Sequence, residues 1–86
     1  MKQGKILIVD DNEDILFTLK MLLRPLAEQV TTLDDPREML PLLSRIRHDV
    51  ILLDMLLPDI SGIEVLRHLR TETRAPVVIL SAHNEE

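Results

Sequence analysis

The feature that most constrains this chain is a short apolar run, Val50–Leu53, that leads directly into Asp54. Four consecutive apolar residues without polar alternation are typical of a strand that is buried on both faces of a parallel sheet. Asp54 would then follow the carboxyl end of this strand. Ligands collect at that edge in open α/β sheets, so Asp54 is the first candidate for a functional residue.

Two further apolar runs have the same character and also end at polar residues. Lys5–Val9 leads into Asp10 and Asp11, and residues 76–80 lead into Ser81. These runs predict a first and a last buried strand. If all the strands are parallel, their polar ends meet at one edge of the sheet.

The segment between the first and central strands predicts a helix and then a strand. Asp11 or Asn12 can cap the helix, and Pro25 disfavours helical geometry at the residue before it, so the helix should stop at Arg24. The predicted apolar face of this helix comprises Ile15, Leu19, Leu22, Leu23 and Leu26. Residues 28–33 are more polar and rich in β-branched side chains, which favours an edge strand.

Two more helices are indicated by their start signals. Asp35 as a cap and Pro36 at the first helical position predict a helix that continues to about His48. Pro41 within it costs about 3 kcal/mol, so we expect a kink there or a helix that begins late. Ser61 opens a capping box before a third helix, whose predicted apolar side comprises Ile63, Leu66 and Leu69.

The resulting order, β-α-β-α-β-α-β, predicts a single doubly wound α/β domain with a parallel sheet and right-handed crossovers. Hydrophobic residues make up 45% of the 86 residues, which suffices for a core. The absence of cysteine excludes disulfides and thiolate metal sites, and suits a cytoplasmic protein. No apolar run approaches the length of a membrane span. The net charge of −5 argues against direct binding of nucleic acid.

The acids at the predicted edge indicate a metal site. Carboxylates this close repel one another by about 4 kcal/mol per pair at an effective dielectric near 20, unless a cation neutralises them. A set of oxygen ligands without His or Cys favours a hard ion, Mg²⁺ above all. The alternative is that the acids are helix caps and solvated loop ends. His48 and His68 have no second ligand at metal spacing and are expected to be solvated.

Taken together, these motifs resemble the receiver domain of two-component response regulators. The likeness rests on Ile6–Asp11, on Val50–Asp54 with Pro58 and Gly62 following, and on residues 76–82. It covers residues 1–86 and implies the flavodoxin-like (CheY-like) fold. The segment VDDNEDIL, residues 9–16, also resembles the N-terminal receiver of nitrogen-regulator-type transcription activators.

The resemblance implies a role for each residue at the edge. Asp54 would accept a phosphoryl group from the phosphohistidine of a sensor histidine kinase or phosphotransfer protein. Asp11 would ligate Mg²⁺ directly and Asp10 through water, with Asp54 and the backbone carbonyl of Leu56 as further ligands. Ser81 would donate a hydrogen bond to a phosphoryl oxygen and act as the switch. Such a module is a signalling domain rather than an enzyme.

The chain departs from the family pattern at its C-terminus. Complete receivers have a fifth strand, two further helices and a lysine that pairs with the phosphoryl group, and this sequence lacks them. Its lysines are Lys2, Lys5 and Lys20, none in a suitable place. We therefore expect self-catalysed phosphorylation to be slow or absent. We also expect an exposed fourth strand to cause dimerisation, strand exchange or partial disorder of the 86 residues.

Two other readings compete with this one. A phosphorylation-independent interaction module on the same truncated fold would use the exposed strand as an assembly surface. A small hydrolase or nucleotide-binding domain has little support, because the chain has two glycines, no glycine-rich phosphate loop and no nucleophile–base pair.

Overall fold

The computed structural model describes residues 4–54 and 62–80 and shows one parallel sheet with helices on both faces. The strands have the order β2-β1-β3-β4. Their bounds are Lys5–Val9 for β1, Gln29–Leu33 for β2, Val50–Leu53 for β3 and Val77–Ile79 for β4. The helices are α1 at Glu13–Leu23, α2 at Met39–Leu43 and α3 at Gly62–Glu72. The predicted doubly wound α/β fold is confirmed, with the 28–33 segment at an edge of the sheet.

The core lies on both faces of the sheet, because side chains alternate along β1 and β3. On one face, α1 packs over a cluster of Ile8, Leu16, Ala27 and Val30. On the other, α2 and α3 cover a larger cluster of Leu7, Val9, Met39, Leu43, Ile51, Leu53, Leu69 and Ala75. The central strands are therefore buried as predicted. Within the described ranges, no helix is long and apolar enough to cross a bilayer.

The predicted face of α1 is partly wrong. Leu16 is the buried residue, with Leu19 and Leu23 packed beside it, whereas Ile15 and Leu22 are exposed. Leu26 is exposed as well. Apolar residues occupy more than half of the circumference of this helix. A spacing of three and four residues therefore describes two neighbouring faces equally well, and the pattern cannot choose between them. Contact with the sheet selects the stripe that includes Leu16.

The second helix is much shorter than predicted. Residues Pro36–Glu38 form a 3₁₀ turn capped by the Asp35 side chain, and α2 ends at Leu43, well before His48. Of the two expectations for Pro41, the late beginning is the one observed. Pro41 is the third residue of α2, where a backbone N–H has no partner within the helix, so the missing donor costs little.

The last two elements are more exposed than predicted. Leu69 is fully buried and Leu66 partly so, but Ile63 is exposed and Val65 takes its place against the core. Ser61, the predicted cap of α3, lies outside the described residues. In β4, Val78 and Ile79 are 48% and 43% exposed, because no described element covers the outer side of this strand. The prediction of a fully buried strand is wrong, and that of an exposed fourth strand is confirmed.

The amino-terminal edge of the sheet is closed by Gly4 and Asp49. Gly4 has a φ of +71°, which favours glycine, and an added Cβ would lie 2.9 Å from Oδ2 of Asp49. His48 precedes this turn and is only 3% exposed, so the prediction of a solvated side chain is wrong. His68 is exposed, as predicted.

Candidate metal centre

Two of the predicted acids follow the ends of adjacent central strands. Val9 and Leu53 are paired in register, so Asp10 and Asp54 leave β1 and β3 at the same level. The N–H of Asp54 donates to the carbonyl of Val9 at 3.0 Å. The N–H of Asp10 donates to the carbonyl of Leu33 in β2 at 3.1 Å. The sheet ladder thus continues one residue beyond the strands and fixes both backbones.

The structure brings Asp10, Asp11 and Asp54 together at this edge. One carboxylate oxygen from each lies within 4.8 Å of the others. Asp10 is buried, Asp54 half-buried and Asp11 exposed. Burial raises the pKa of Asp10, and the charges of Asp54 and Asp11 raise it further, as does a hydrogen bond with the Asp54 carboxyl. The site therefore resists full ionisation in the absence of a counter-charge.

Asn12 links this cluster to α1. Its side-chain oxygen accepts hydrogen bonds from the N–H groups of Asp14 at 2.8 Å and Ile15 at 3.2 Å, so Asn12 and not Asp11 is the helix cap. Its own N–H donates to Oδ1 of Asp10 at 2.9 Å, which opposes the rise of the Asp10 pKa. The sequence left Asp11 and Asn12 as alternative caps. The hydrogen bond from the Asn12 N–H to Asp10 depends on backbone geometry and was not predicted.

The donor set fits a hard divalent cation. All three side chains offer oxygen, and their separations allow a single ion to contact them all. Mutual repulsion and burial of Asp10 are the two costs that a cation would offset. The alternative that these acids serve as caps of α1 does not explain the cluster, because the cap is Asn12.

The structure does not test the other predicted site residues. Leu56 and Ser81 lie outside the described residues. His48 lies at the opposite edge of the sheet. There its Nδ1 is 3.1 Å from the carbonyl of Ile46, and its Nε2 is buried without a partner among the described residues. Burial lowers the pKa of His48.

Similarity to known proteins is consistent along the whole chain. The sequence model of the response regulator receiver domain matches residues 6–86. The transcriptional regulatory proteins YkoG and SpaR of Bacillus subtilis are each 39% identical to this chain, over 98% and 96% of its length. RcaC of Microchaete diplosiphon is 40% identical over 91% of the chain. The chain spans 37% of the length of YkoG and SpaR and 12% of RcaC.

Solved structures agree with the sequence relatives. The CheY-like receiver domain from Methylobacillus flagellatus superposes with a TM-score of 0.84 at 29% identity, over 96% of this chain and 72% of its own. The receiver domain of the Francisella response regulator 1452 gives 0.83 at 32% identity, over 96% and 69%.

The MaeR response regulator, solved with beryllium trifluoride bound, gives a TM-score of 0.83 at 28% identity, over 99% of this chain and 70% of its own. The narrower likeness to nitrogen-regulator-type activators stays a prediction. The acidic edge of a flavodoxin-like sheet, the matching sequence model and these neighbours lead to one conclusion: this chain belongs to the response regulator receiver family of two-component systems.

Proposed function

We propose that the chain accepts a phosphoryl group on Asp54 from the phosphohistidine of a sensor kinase or phosphotransfer protein. The observation that carries this proposal is the position of Asp54. It follows the end of a central strand with two other carboxylates within 4.8 Å, at the edge where ligands of such sheets bind. Asp54 is half-buried, so the end of its side chain can be reached by a donor.

The transfer is a displacement at phosphorus. A carboxylate oxygen of Asp54 forms the new bond to phosphorus while the bond between phosphorus and the imidazole nitrogen breaks, and the nitrogen leaves with the electron pair. Because the other ring nitrogen of the phosphohistidine carries a proton, the imidazole leaves as a neutral histidine on the donor, and the second product is an acyl phosphate on Asp54. Phosphoryl transfer of this kind depends mostly on positioning and on neutralisation of charge. The backbone hydrogen bond from Asp54 to Val9 supplies the positioning.

Asp10, Asp11 and Asp54, with the carbonyl of Leu56, would hold Mg²⁺. When bound, the ion would neutralise the carboxylates and the entering phosphoryl oxygens, which otherwise repel one another. Ser81 would donate its hydroxyl to a phosphoryl oxygen. The roles of Leu56 and Ser81 rest on the family likeness.

Neither lysine in the described ranges is positioned to supply a positive charge to a phosphoryl group on Asp54. Lys5 begins β1 at the opposite edge, and Lys20 lies in the last turn of α1. We therefore infer that the 86-residue chain reacts slowly with small phosphodonors. The alternative of a phosphorylation-independent module is not favoured, since the chain matches receivers over residues 6–86 and brings the acidic trio together.

The test compares the wild type with Asp54→Asn in the presence of Mg²⁺. The chain is incubated with a small acyl-phosphate donor, and covalent modification is read as the mass gain of one phosphoryl group. Binding of beryllofluoride is followed in parallel by ¹⁹F NMR. Asp34→Asn is the matched control, because Asp34 follows β2 at the same edge but lies outside the acidic trio.

We expect modification and beryllofluoride binding in the wild type and in Asp34→Asn, and neither in Asp54→Asn. Equal behaviour of the wild type and Asp54→Asn would remove the phosphoacceptor role from Asp54.

A further inference from the structure

Asn12 makes hydrogen bonds both to the acidic edge and to the first turn of α1. Its side chain satisfies two of the otherwise unpaired N–H groups at the helix N-terminus, those of Asp14 and Ile15. Its main chain donates to the carboxylate of Asp10.

We infer that Asn12 is a positioning residue for the metal site and sets the Mg²⁺ affinity through Asp10. This inference rests on the proposed function, because it concerns the same three carboxylates. Asn12 touches neither the phosphoryl group nor the cation in this scheme. It acts by holding the carboxylate of Asp10 in one orientation.

The argument begins with the backbone of Asn12. Capping holds this residue in an extended conformation, with φ −97° and ψ 111°, while the residues after it are helical. In this conformation its N–H lies 2.9 Å from Oδ1 of Asp10. If the cap is lost, the first turn of α1 frays and this N–H loses its fixed direction. The side chain of Asn12 thus fixes a hydrogen bond that its main chain makes.

The second step concerns the Asp10 carboxylate. Asp10 is 3% exposed, so water does not replace a lost backbone donor easily. A carboxylate held at one oxygen keeps its other oxygen in place as well, because the group is planar. Partners of this kind orient metal ligands, and their removal typically weakens metal binding about 10- to 100-fold. We expect the lower end here, because Asn12→Ala loosens the donor without deleting it.

The test measures the Mg²⁺ affinity of the 86-residue chain by isothermal titration calorimetry. Asn12→Ala removes the cap, and Asn12→Ser restores a side-chain oxygen that can cap the helix. Met21→Gly is the matched control. It lowers the helix stability of α1 at an exposed position away from Asn12, and its urea midpoint shows whether the loss of stability equals that of Asn12→Ala. The amide proton shift of residue 12 in ¹H–¹⁵N spectra reports its hydrogen bond directly.

We expect Asn12→Ala to weaken Mg²⁺ binding about tenfold and to move the amide of residue 12 upfield. Asn12→Ser and Met21→Gly should bind Mg²⁺ as tightly as the wild type. Wild-type affinity in Asn12→Ala, or an equal loss in Met21→Gly, would overturn the role of Asn12 and leave the proposed function intact. A wild-type chain that binds no Mg²⁺ would instead overturn the metal site itself.

Discussion

Lys5 and Asp49 are bound to each other twice at the edge of the sheet opposite the acids. The N–H of Lys5 donates to Oδ2 of Asp49 at 2.8 Å, and the N–H of Asp49 donates to the carbonyl of Lys5 at 2.8 Å. This pair closes the edge directly beside His48. A buried imidazole, whose Nε2 has no partner among the described residues, thus lies next to a fixed backbone.

His48 should make the stability of the chain depend on pH. Burial lowers the pKa of His48 in the folded state and is the largest effect. The Ile46 carbonyl opposes it, the charge of Lys5 lowers the pKa further, and Asp49 raises it. The unfolded state therefore binds a proton first as pH falls. The contribution of His48 is fully present above its unfolded pKa of about 6.5 and is lost as pH decreases below that value.

This dependence can be measured by urea unfolding between about pH 8 and pH 5, followed by circular dichroism. His48→Gln should flatten the loss of stability at the acidic end relative to the wild type. His68→Gln is the control, because His68 is exposed. Other charged side chains share the cleft beside His48 and stay unchanged in both variants: Arg47, Asp49, Glu72 and Arg74. Equal slopes for the two variants would contradict the assignment to His48.

Asp10→Asn should stabilise the metal-free chain and remove its response to Mg²⁺. One of three mutually repelling carboxylates is lost, which at an effective dielectric near 20 is worth on the order of 1–4 kcal/mol. In the wild type, Mg²⁺ at about 100 times its dissociation constant should add roughly 2.7 kcal/mol to the free energy of unfolding. Thermal unfolding with and without millimolar Mg²⁺ measures both effects. Asp34→Asn should behave like the wild type, and a full Mg²⁺ response in Asp10→Asn would argue against the site.

The orientation of α1 can be tested with two leucines of opposite burial. Leu16→Ala should lower the free energy of unfolding by about 2–5 kcal/mol, because it leaves a cavity beside Ile8 and Val30. Leu22 is 65% exposed, so Leu22→Ala should change it by less than about 0.5 kcal/mol. Chemical denaturation measures both. A larger cost for Leu22→Ala would instead support the stripe of α1 that the sequence pattern favoured.

The outer edge of β4 should cause self-association of the 86-residue chain. Val78 and Ile79 are exposed on the outermost strand of the described sheet, and unpaired apolar edges recruit other strands. Sedimentation velocity should show a concentration-dependent increase in mass that Ile79→Lys suppresses. Ile63→Lys is the matched control, since Ile63 is also an exposed isoleucine but lies on α3, with 57% exposure against 43% for Ile79. A monodisperse monomer with a cooperative melt would contradict this prediction.

The sequence predicted the sheet well because its strong signals are local. Lys5–Val9 and Val50–Leu53 are apolar without alternation, and only buried parallel strands satisfy such runs in a small α/β domain. The acids at their ends follow from the same two observations, since register places Asp10 beside Asp54. Nothing beyond strand direction was needed to predict that Asp10 and Asp54 lie together.

The errors concern features that depend on neighbours rather than on periodicity. Which stripe of α1 is buried is decided by its position over the sheet, and Leu16 fits that position better than Ile15. The short α2 and the burial of His48 have a common cause. The chain leaves the helix at Ser44 and returns to β3 through a loop in which His48 is buried. No pattern within residues 44–49 indicates this path.

The strand β3 is only four residues long, and each of its ends lies near a buried ionisable group whose charged form is disfavoured, positive at one end and negative at the other. At its start lies an imidazole that is better neutral, and at its end lies a carboxylate cluster in which Asp10 is better protonated. Acid relieves the second conflict while it aggravates the first, so proton concentration alone cannot satisfy both ends of the strand. A divalent cation acts on the acidic end alone. Binding of a metal ion would therefore stabilise the acidic end of β3 without destabilising the end beside His48, which no change in pH can do.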